Sequence, residues 1–406
     1  MSANSKIEWT DHTWNPVRGC TRISEGCRNC YAERFAARFS RHIDEIPGPR
    51  IGQTHDAFHG FAKHTPSGPR WTGNVALVED KLTEPLRKRS WKGKRVFVNS
   101  MSDLFHESLT DAEIDKVFAV MALCPDVTFQ VLTKRAERMR RYFKQAAIPN
   151  IDEDDPRYSG RGVLVNTAAN IVLSSIGEWD DDHPDGPEWG CPEKWFQQSP
   201  WLDPSGCMMP WPPPNVWLGV SVEDQKTADE RIPHLLETPA AVRFVSYEPA
   251  LGPVDFTRIS VYERVGRPII ERAAAMGRST ENYPSPSCWW VNALGGYACS
   301  GHESNKLDWI IAGGESGPGA RPSNLAWFRH VRRDCEDAGV PFFFKQWGNW
   351  VGGLGHACGF VMLQNGAHCA ASSKVHEWGE DFVSEPVGKK AAGRLLDGRE
   401  HSEFPK

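Results

Sequence analysis

A closed (β/α)8 barrel of the TIM type, with large loop insertions and a C-terminal extension, is the fold predicted by three features of this 406-residue sequence. Seven short apolar runs rich in Val, Ile and Phe recur along it, an N-terminal run makes eight, and most end in polar residues that lead into helix-like or irregular stretches. Continuous apolar strands alternating with amphipathic helices indicate a parallel sheet covered on both faces, and eight such units close a barrel.

The runs are a segment within Ile7 to Val17, then Asn74–Glu79, Arg95–Ser100, Thr128–Thr133, Val216–Glu223, Val242–Glu248, Trp309–Glu315 and Val340–Gln346. Between them Thr110 is placed to cap a helix carrying Ile114, Val117, Phe118 and Met121 at helical spacing. A second helix through Trp327, Val331 and Cys335 stops at Gly339. The predicted barrel spans residues 1–349, interrupted by insertions at about 42–72, 147–214 and 257–305. Loops of that length form lids or binding surfaces more often than mere connections. Residues 350–406 form an extension that packs on the barrel, ending in a basic stretch, Gly388 to Arg399, which either docks or contacts phosphates.

Composition narrows the function classes. No stretch of about 18 apolar residues occurs, and the N-terminus lacks a basic patch followed by an apolar run, so a cytoplasmic enzyme with no membrane partner is expected. In that setting the eleven cysteines stay reduced, and a clustered set points to metal or redox chemistry. The net charge of −5 means that any nucleic acid must be held by a local basic surface.

Cys20, Cys27 and Cys30 are such a cluster, three thiols within eleven residues and just ahead of a helical start at Ala32 to Phe39. An iron–sulfur cluster held by three thiolates keeps one iron open to a small molecule. Structural zinc, completed by a histidine such as His12, is the alternative. Cys288, Cys299 and His302, or Cys191 and Cys207, offer a possible second metal site, although unpaired thiols within insertions explain them as well. In a barrel the chemistry sits at the C-terminal strand ends, which places Glu223, Glu248, Glu315, Arg321 and Lys345 at the mouth as candidate catalytic or substrate-binding residues. The glycine-rich Gly313 to Pro322 is either a phosphate cradle or a tight turn.

The spacing Cys20-x6-Cys27-x2-Cys30-Tyr31 resembles the three-cysteine motif of radical S-adenosylmethionine enzymes, with a longer first spacer. With W-N-P-V-R-G-C, V-F-V-N-S-M-S-D-L-F, L-T-K-R, G-V-S-V-E-D, S-Y-E-P, A-G-G-E-S-G-P-G-A-R-P and F-F-F-K-Q-W-G, the chain is similar to a family of phage and bacterial three-cysteine-motif proteins related to spore photoproduct lyase. The resemblance implies a 4Fe-4S cluster on Cys20, Cys27 and Cys30, S-adenosyl-L-methionine as cofactor, and a 5′-deoxyadenosyl radical that abstracts hydrogen. It further implies cofactor contacts from Tyr31, Ser102, Lys134 and Ser221, with Ser100 standing where the lyase has its hydrogen-donating cysteine. A serine O–H is too strong a bond for that role. The implied substrate is a nucleobase in DNA, which undergoes hypermodification or rearrangement in a bacterium or phage-infected host, with flavodoxin or ferredoxin supplying electrons. A DNA lesion repair lyase and a zinc-stabilised nucleic-acid-binding protein without catalysis are the rival readings.

Overall fold

The computed structural model describes residues 5–40, 57–144, 168–169, 171–172, 211–276, 278–281, 283–355, 360–364, 368–370, 375–379 and 381–406. The chain divides into two compact units, one of residues 1–23, 30–219 and 238–241, the other of residues 24–29, 220–237 and 242–406.

In the first unit the elements follow the chain as His12–Trp14 (β1), Val17–Arg18 (β2), Tyr31–Arg38 (α1), Ala62–Thr65 (β3), Gly68–Trp71 (β4), Ala76–Leu77 (β5), Arg95–Val98 (β6), Asp111–Ala122 (α2), Thr128–Thr133 (β7) and Ala136–Lys144 (α3). β1, β6 and β7 pair in parallel, with His12 opposite Val96 and Val96 opposite Phe129. Their apolar side chains are buried, Trp14, Val96, Val98, Phe129 and Val131 all being inaccessible. The α2 cap is the predicted one: Thr110 Oγ1 accepts from Glu113 N–H, and the Glu113 carboxylate accepts from Thr110 N–H at 2.8 Å. Beyond its other end the Asn215 amide donates to the carbonyls of Met121, Cys124 and Val127 at 2.9–3.0 Å, which satisfies groups that a helix end leaves open.

Val216–Val222 (β8) begins in the first unit and ends in the second. There follow Gln225–Leu236 (α4), Val242–Tyr247 (β9), Ile259–Ser260 (β10), Arg267–Ala275 (α5), Trp290–Asn292 (β11), Tyr297–Ala298 (β12), Trp309–Gly313 (β13), Leu325–Ala338 (α6), Phe342–Gln346 (β14), Trp350–Gly355 (β15), Phe360–Leu363 (β16), His368–Ala370 (β17), His376–Glu377 (β18), Phe382–Pro386 (β19) and Lys389–Ala392 (α7). β9, β13 and β14 pair in parallel, and α6 ends at Gly339 with φ 65°, the left-handed stop expected of that glycine.

The predicted closed eight-stranded barrel is not formed. The largest sheet is parallel, has seven strands in the order β1-β6-β7-β8-β9-β13-β14, and does not close on itself. Two local events account for the difference. The Asn74–Glu79 run contributes only β5, which pairs antiparallel with β2, Val17 opposite Leu77, because the chain breaks between β1 and β2 at Pro16 and leaves the sheet. At the other edge the C-terminal segment lies on β14: Phe343 bridges Ser402 and Phe344 N–H donates to the His401 carbonyl at 3.0 Å. The position that an eighth strand would take is therefore filled from residues 401–403.

The described parts of the insertions have structure of their own. Residues 57–72 carry the β3–β4 hairpin, and 257–305 carry α5 and a three-stranded antiparallel sheet, β10-β11-β12. Residues 42–56 and most of 147–210, with Cys191 and Cys207, lie outside the described residues. Residues 350–386 form a five-stranded antiparallel sheet in the order β17-β16-β15-β19-β18, and the basic stretch beyond it docks, Trp347 Nε1 donating to the Leu395 carbonyl at 2.8 Å while Leu396 is fully buried. Among the described residues no helix is long and apolar enough to cross a membrane.

Replacing Thr110 by Ala removes a reciprocal cap and is expected to destabilise the protein by about 1 kcal/mol, read as a lower urea midpoint at unchanged slope.

Candidate functional site

In the first unit, β2 delivers the chain to Gly19 and Cys20. Gly19 has φ 86°, and a Cβ there would lie 1.9 Å from the Asn74 carbonyl oxygen, so no other residue fits at the entrance to the cysteine loop. Gly19 also bridges Ser102, whose hydroxyl donates to the Val17 carbonyl at 2.9 Å.

Cys20 Sγ lies 3.9 Å from Arg135 Nη1. Arg135, two residues past β7, has a side chain only 3% exposed, and its guanidinium also reaches Asp103 Oδ2 at 3.0 Å, Glu107 Oε2 at 2.8 Å and Thr21 Oγ1 at 2.7 Å. Burial alone would lower its pKa, but Asp103, the Cys20 sulfur and Glu107 outweigh that and hold it above the ordinary value.

Asp103 is buried yet fully used. It accepts from Thr133 Oγ1 at 2.7 Å, Phe105 N at 3.0 Å, Lys134 N at 3.1 Å and Arg135. His106 Nδ1 accepts from Ser108 N–H at 3.2 Å, which fixes the neutral ring with Nε2–H donating to Thr21 Oγ1 at 2.9 Å. Burial, then the Arg135 charge, lowers its pKa below 6.5.

Of the residues expected to touch a cofactor, Tyr31, Ser100, Ser102 and Lys134 lie in this unit. Tyr31 is half exposed and its hydroxyl donates to the Ser100 carbonyl at 2.5 Å. The Ser100 hydroxyl donates to Asn15 Oδ1 at 3.1 Å, and Lys134 is half buried. Cys30 opens α1 and packs against a core of Ala32, Ala36, Ala37, Phe58, Ala62 and Met101.

In the second unit, the segment Ser24–Asn29 with Cys27 at its centre is pinned by two buried carboxylates. Glu223, directly after β8, accepts from Ser24 Oγ at 3.1 Å and from Arg231 Nη1 at 3.1 Å, with both charged side chains at most 3% exposed. Gly26 packs so closely on the Glu223 side chain that a Cβ would approach it to 2.3 Å. Glu315, after β13, accepts from Asn29 Nδ2 at 3.1 Å, from Arg321 N–H at 2.8 Å and from the Arg321 guanidinium at 2.7 Å. Arg321 in turn donates to the Glu25 carbonyl at 2.9 Å. Burial would raise the Glu315 pKa, but bonds from Arg321 and Asn29 hold it below the ordinary carboxylate value. Gly313 to Pro322 is therefore a turn organised by a carboxylate, and its anion is Glu315 itself.

Glu248 and Lys345 form a separate pair, Lys345 Nζ lying 2.8 Å from both carboxylate oxygens, with side chains 15–18% exposed. Ser221, the remaining residue expected at the cofactor, is buried in β8, and its carbonyl accepts from Arg231 Nη1 at 2.7 Å. Cys288 and Cys299 are exposed, and with His302 they form no group of closely spaced ligand atoms among the described residues. Asp255, His330 and Asp334 do place ligand atoms within 4.8 Å of one another. Ordinary helix chemistry explains that trio: His330 and Asp334 are an i,i+4 pair on α6, and Asp255 Oδ1 accepts from the N–H and hydroxyl of Thr257.

Burial pushes the Cys124 thiol up to about 12 and raises that of Cys335, which makes both inert. Cys20, Cys27 and Cys30 are only partly buried. Sequence reasoning missed Arg135, Asp103, His106, Arg231 and Asn29. Arg135 was legible only as a polar residue at a strand end, and Asp103 only as part of the motif following β6.

A family model described as "Protein of unknown function (DUF5131)" matches residues 4–405, and the chain belongs to that family. No curated protein and no solved structure matches it.

Substituting Arg135 by Met strands the buried Asp103 carboxylate and is expected to cost about 3 kcal/mol, of which Asp103→Asn in the same chain restores part in a double-mutant cycle. Stability should also fall with acid. His106, with its folded pKa lowered, contributes stability that is complete above the unfolded value of 6.5 and is lost as pH drops from there towards the folded value. Glu315 contributes stability that is complete above the unfolded value of 4.5 and is lost as pH drops through its lower folded value. Urea titrations between about pH 8 and pH 4 should show the decline beginning near 6.5, where His12 and His401, also lowered by burial, add to it, with His106→Gln making its upper part shallower.

Proposed function

We propose that this protein is a radical S-adenosylmethionine enzyme that acts on a nucleobase in DNA, carrying out a hypermodification or rearrangement. The observation that carries the reading is the contrast among the cysteines: the three that match the motif are only partly buried, one of them beside a buried guanidinium, while Cys124 and Cys335 are sealed in apolar surroundings. Three partly buried thiols are the donor chemistry that such a cluster takes. Cys20, Cys27 and Cys30 would hold it, and when bound it supplies the electron that cleaves the cofactor sulfonium to yield the 5′-deoxyadenosyl radical.

The chain's own residues have narrower tasks. Arg135 sets a buried cation beside the Cys20 sulfur, and Glu223 and Glu315 fix the segment that bears Cys27. The Lys134 ammonium is suited to the cofactor's carboxylate, and Tyr31, Ser102 and Ser221 are assigned to shaping its site. Glu248 and Lys345, bound mainly to each other, can exchange that pairing for polar groups of a substrate. Ser100 has no hydrogen to give a carbon radical and is engaged with Asn15, which disfavours direct lesion repair. A cytoplasmic setting with flavodoxin or ferredoxin as donor suits thiols that must stay reduced.

Anaerobic reconstitution of the full chain is expected to give about four iron per chain, with formation of 5′-deoxyadenosine after reduction, both lost in Cys27→Ala. Zinc bound in place of iron, with no deoxyadenosine, would overturn the reading in favour of a structural metal. Restoration of irradiated DNA by the reduced enzyme would replace modification by repair.

A further inference from the structure

In the second unit the parallel strands β9, β13 and β14 lie side by side, and the middle one ends on a residue without a side chain, Gly313. Tyr247 at the end of β9 pairs with Ala312, and Gln346 at the end of β14 pairs with Gly313. Glu248 follows Tyr247, so its side chain meets those of Lys345 and Gln346 across the end of β13, where a Cβ at Gly313 would lie 3.5 Å from the Glu248 carboxyl carbon. The carboxyl ends of parallel strands are where open α/β sheets bind their ligands.

Three polar groups adjoin one another there. The Lys345 ammonium lies 2.8 Å from both oxygens of Glu248, and Gln346 Nε2 donates to Glu248 Oε1 at 3.4 Å. This orientation of the amide is the one that suits the carboxylate, since the reverse would set oxygen against oxygen. It leaves Gln346 Oε1 with no hydrogen-bond partner among the described residues, in a residue only 4% exposed. A buried acceptor left open costs stability, and a desolvated ion pair returns little. A ligand that brings donors for the oxygens and an acceptor for the ammonium removes both costs. Lys345 and Glu248 are partly open to solvent and Gln346 is not, so such a ligand meets the ion pair first and the amide second.

We infer that Glu248, Lys345 and Gln346 recognise an unpaired guanine. Ammonium, carboxylate and amide oxygen present a donor followed by acceptors, and the guanine edge is the complement, with O6 as acceptor beside N1–H and the N2 amine as donors. On binding, the Lys345 ammonium passes from Glu248 to O6, the carboxylate takes N1–H and one amine hydrogen, and Gln346 Oε1 takes the other. Thymine has a single N–H between two carbonyls and would set one of them against the carboxylate. Cytosine would bring its N3 lone pair to the same place, and adenine has no carbonyl for Lys345. This edge is free only in a base that has left its pair. The inference rests on the action on a nucleobase proposed above and names the base.

The test is fluorescence anisotropy of a labelled single-stranded oligothymidylate carrying one guanine, with the full chain purified in air, where neither iron nor cofactor is needed. The same strand with hypoxanthine, which lacks only the amine, is expected to bind about tenfold more weakly, and the all-thymine strand at least as weakly as that. Glu248→Gln, a change that keeps the size of the side chain, should bring the guanine and hypoxanthine strands to within about twofold of each other. Lys345→Met should weaken binding of both, since both carry O6, and leave the all-thymine strand unaffected. Near-UV circular dichroism confirms that the variants fold. Equal affinity of the unaltered chain for the guanine and hypoxanthine strands overturns the inference without recourse to any variant, as does failure to bind any strand or a guanine preference that survives Glu248→Gln. Iron incorporation and deoxyadenosine formation report separately, so either proposal can fail while the other stands.

Discussion

The first unit depends on the Asp103 carboxylate. A buried anion survives only when its oxygens are filled, and Asp103 collects donors from its own turn, from the end of β7 and from Arg135. It thereby fastens the segment after β6 to the segment after β7, the two stretches that hold Ser100, Ser102 and Lys134. Through Arg135 the same network reaches Thr21 and Cys20. One carboxylate thus sets the backbone carrying Ser100, Ser102 and Lys134 and the charge beside the Cys20 sulfur.

The second unit solves the same problem with two carboxylates. Glu223 and Glu315 lie just past parallel strands, where exposed acids would be free to meet a substrate. Both are instead buried and spent on Arg231, Arg321 and the segment around Cys27. Their role is positional: a short irregular segment has little apolar surface to hold it, and charge-assisted hydrogen bonds at both ends replace packing. Gly26 completes the arrangement, because only a residue without a side chain lets the backbone settle onto Glu223.

Much of this fold was legible in the sequence because apolar strand runs and helix caps are local signals. Seven of the eight predicted runs enter the parallel sheet, and Thr110 and Gly339 act as read. The closed barrel was not legible, since closure depends on what meets an edge; the departure at Pro16 and the tail on β14 are decided by contacts between residues far apart in sequence. The five-stranded C-terminal sheet was missed for another reason: Trp350–Gly355 is half glycine and carries no alternation to read. At the site, the thiols stood out by spacing, whereas Arg135 was only a polar residue following a strand run. Its burial follows from Asp103 and Glu107, acids whose proximity no spacing rule reveals.

Among the five residues expected at the mouth, the Glu248–Lys345 pair stands apart. A desolvated ion pair contributes little to stability, because taking both charges out of water offsets most of their attraction, and apolar residues of the same size often serve a fold better. Glu223 and Glu315 have an evident structural return in the segment they pin. Glu248 and Lys345 contact chiefly each other, with a single longer bond from Gln346 at 3.4 Å. The pair lies at the ends of β9 and β14, partly open to solvent, and among the described residues it pins no neighbouring segment as Glu223 and Glu315 do.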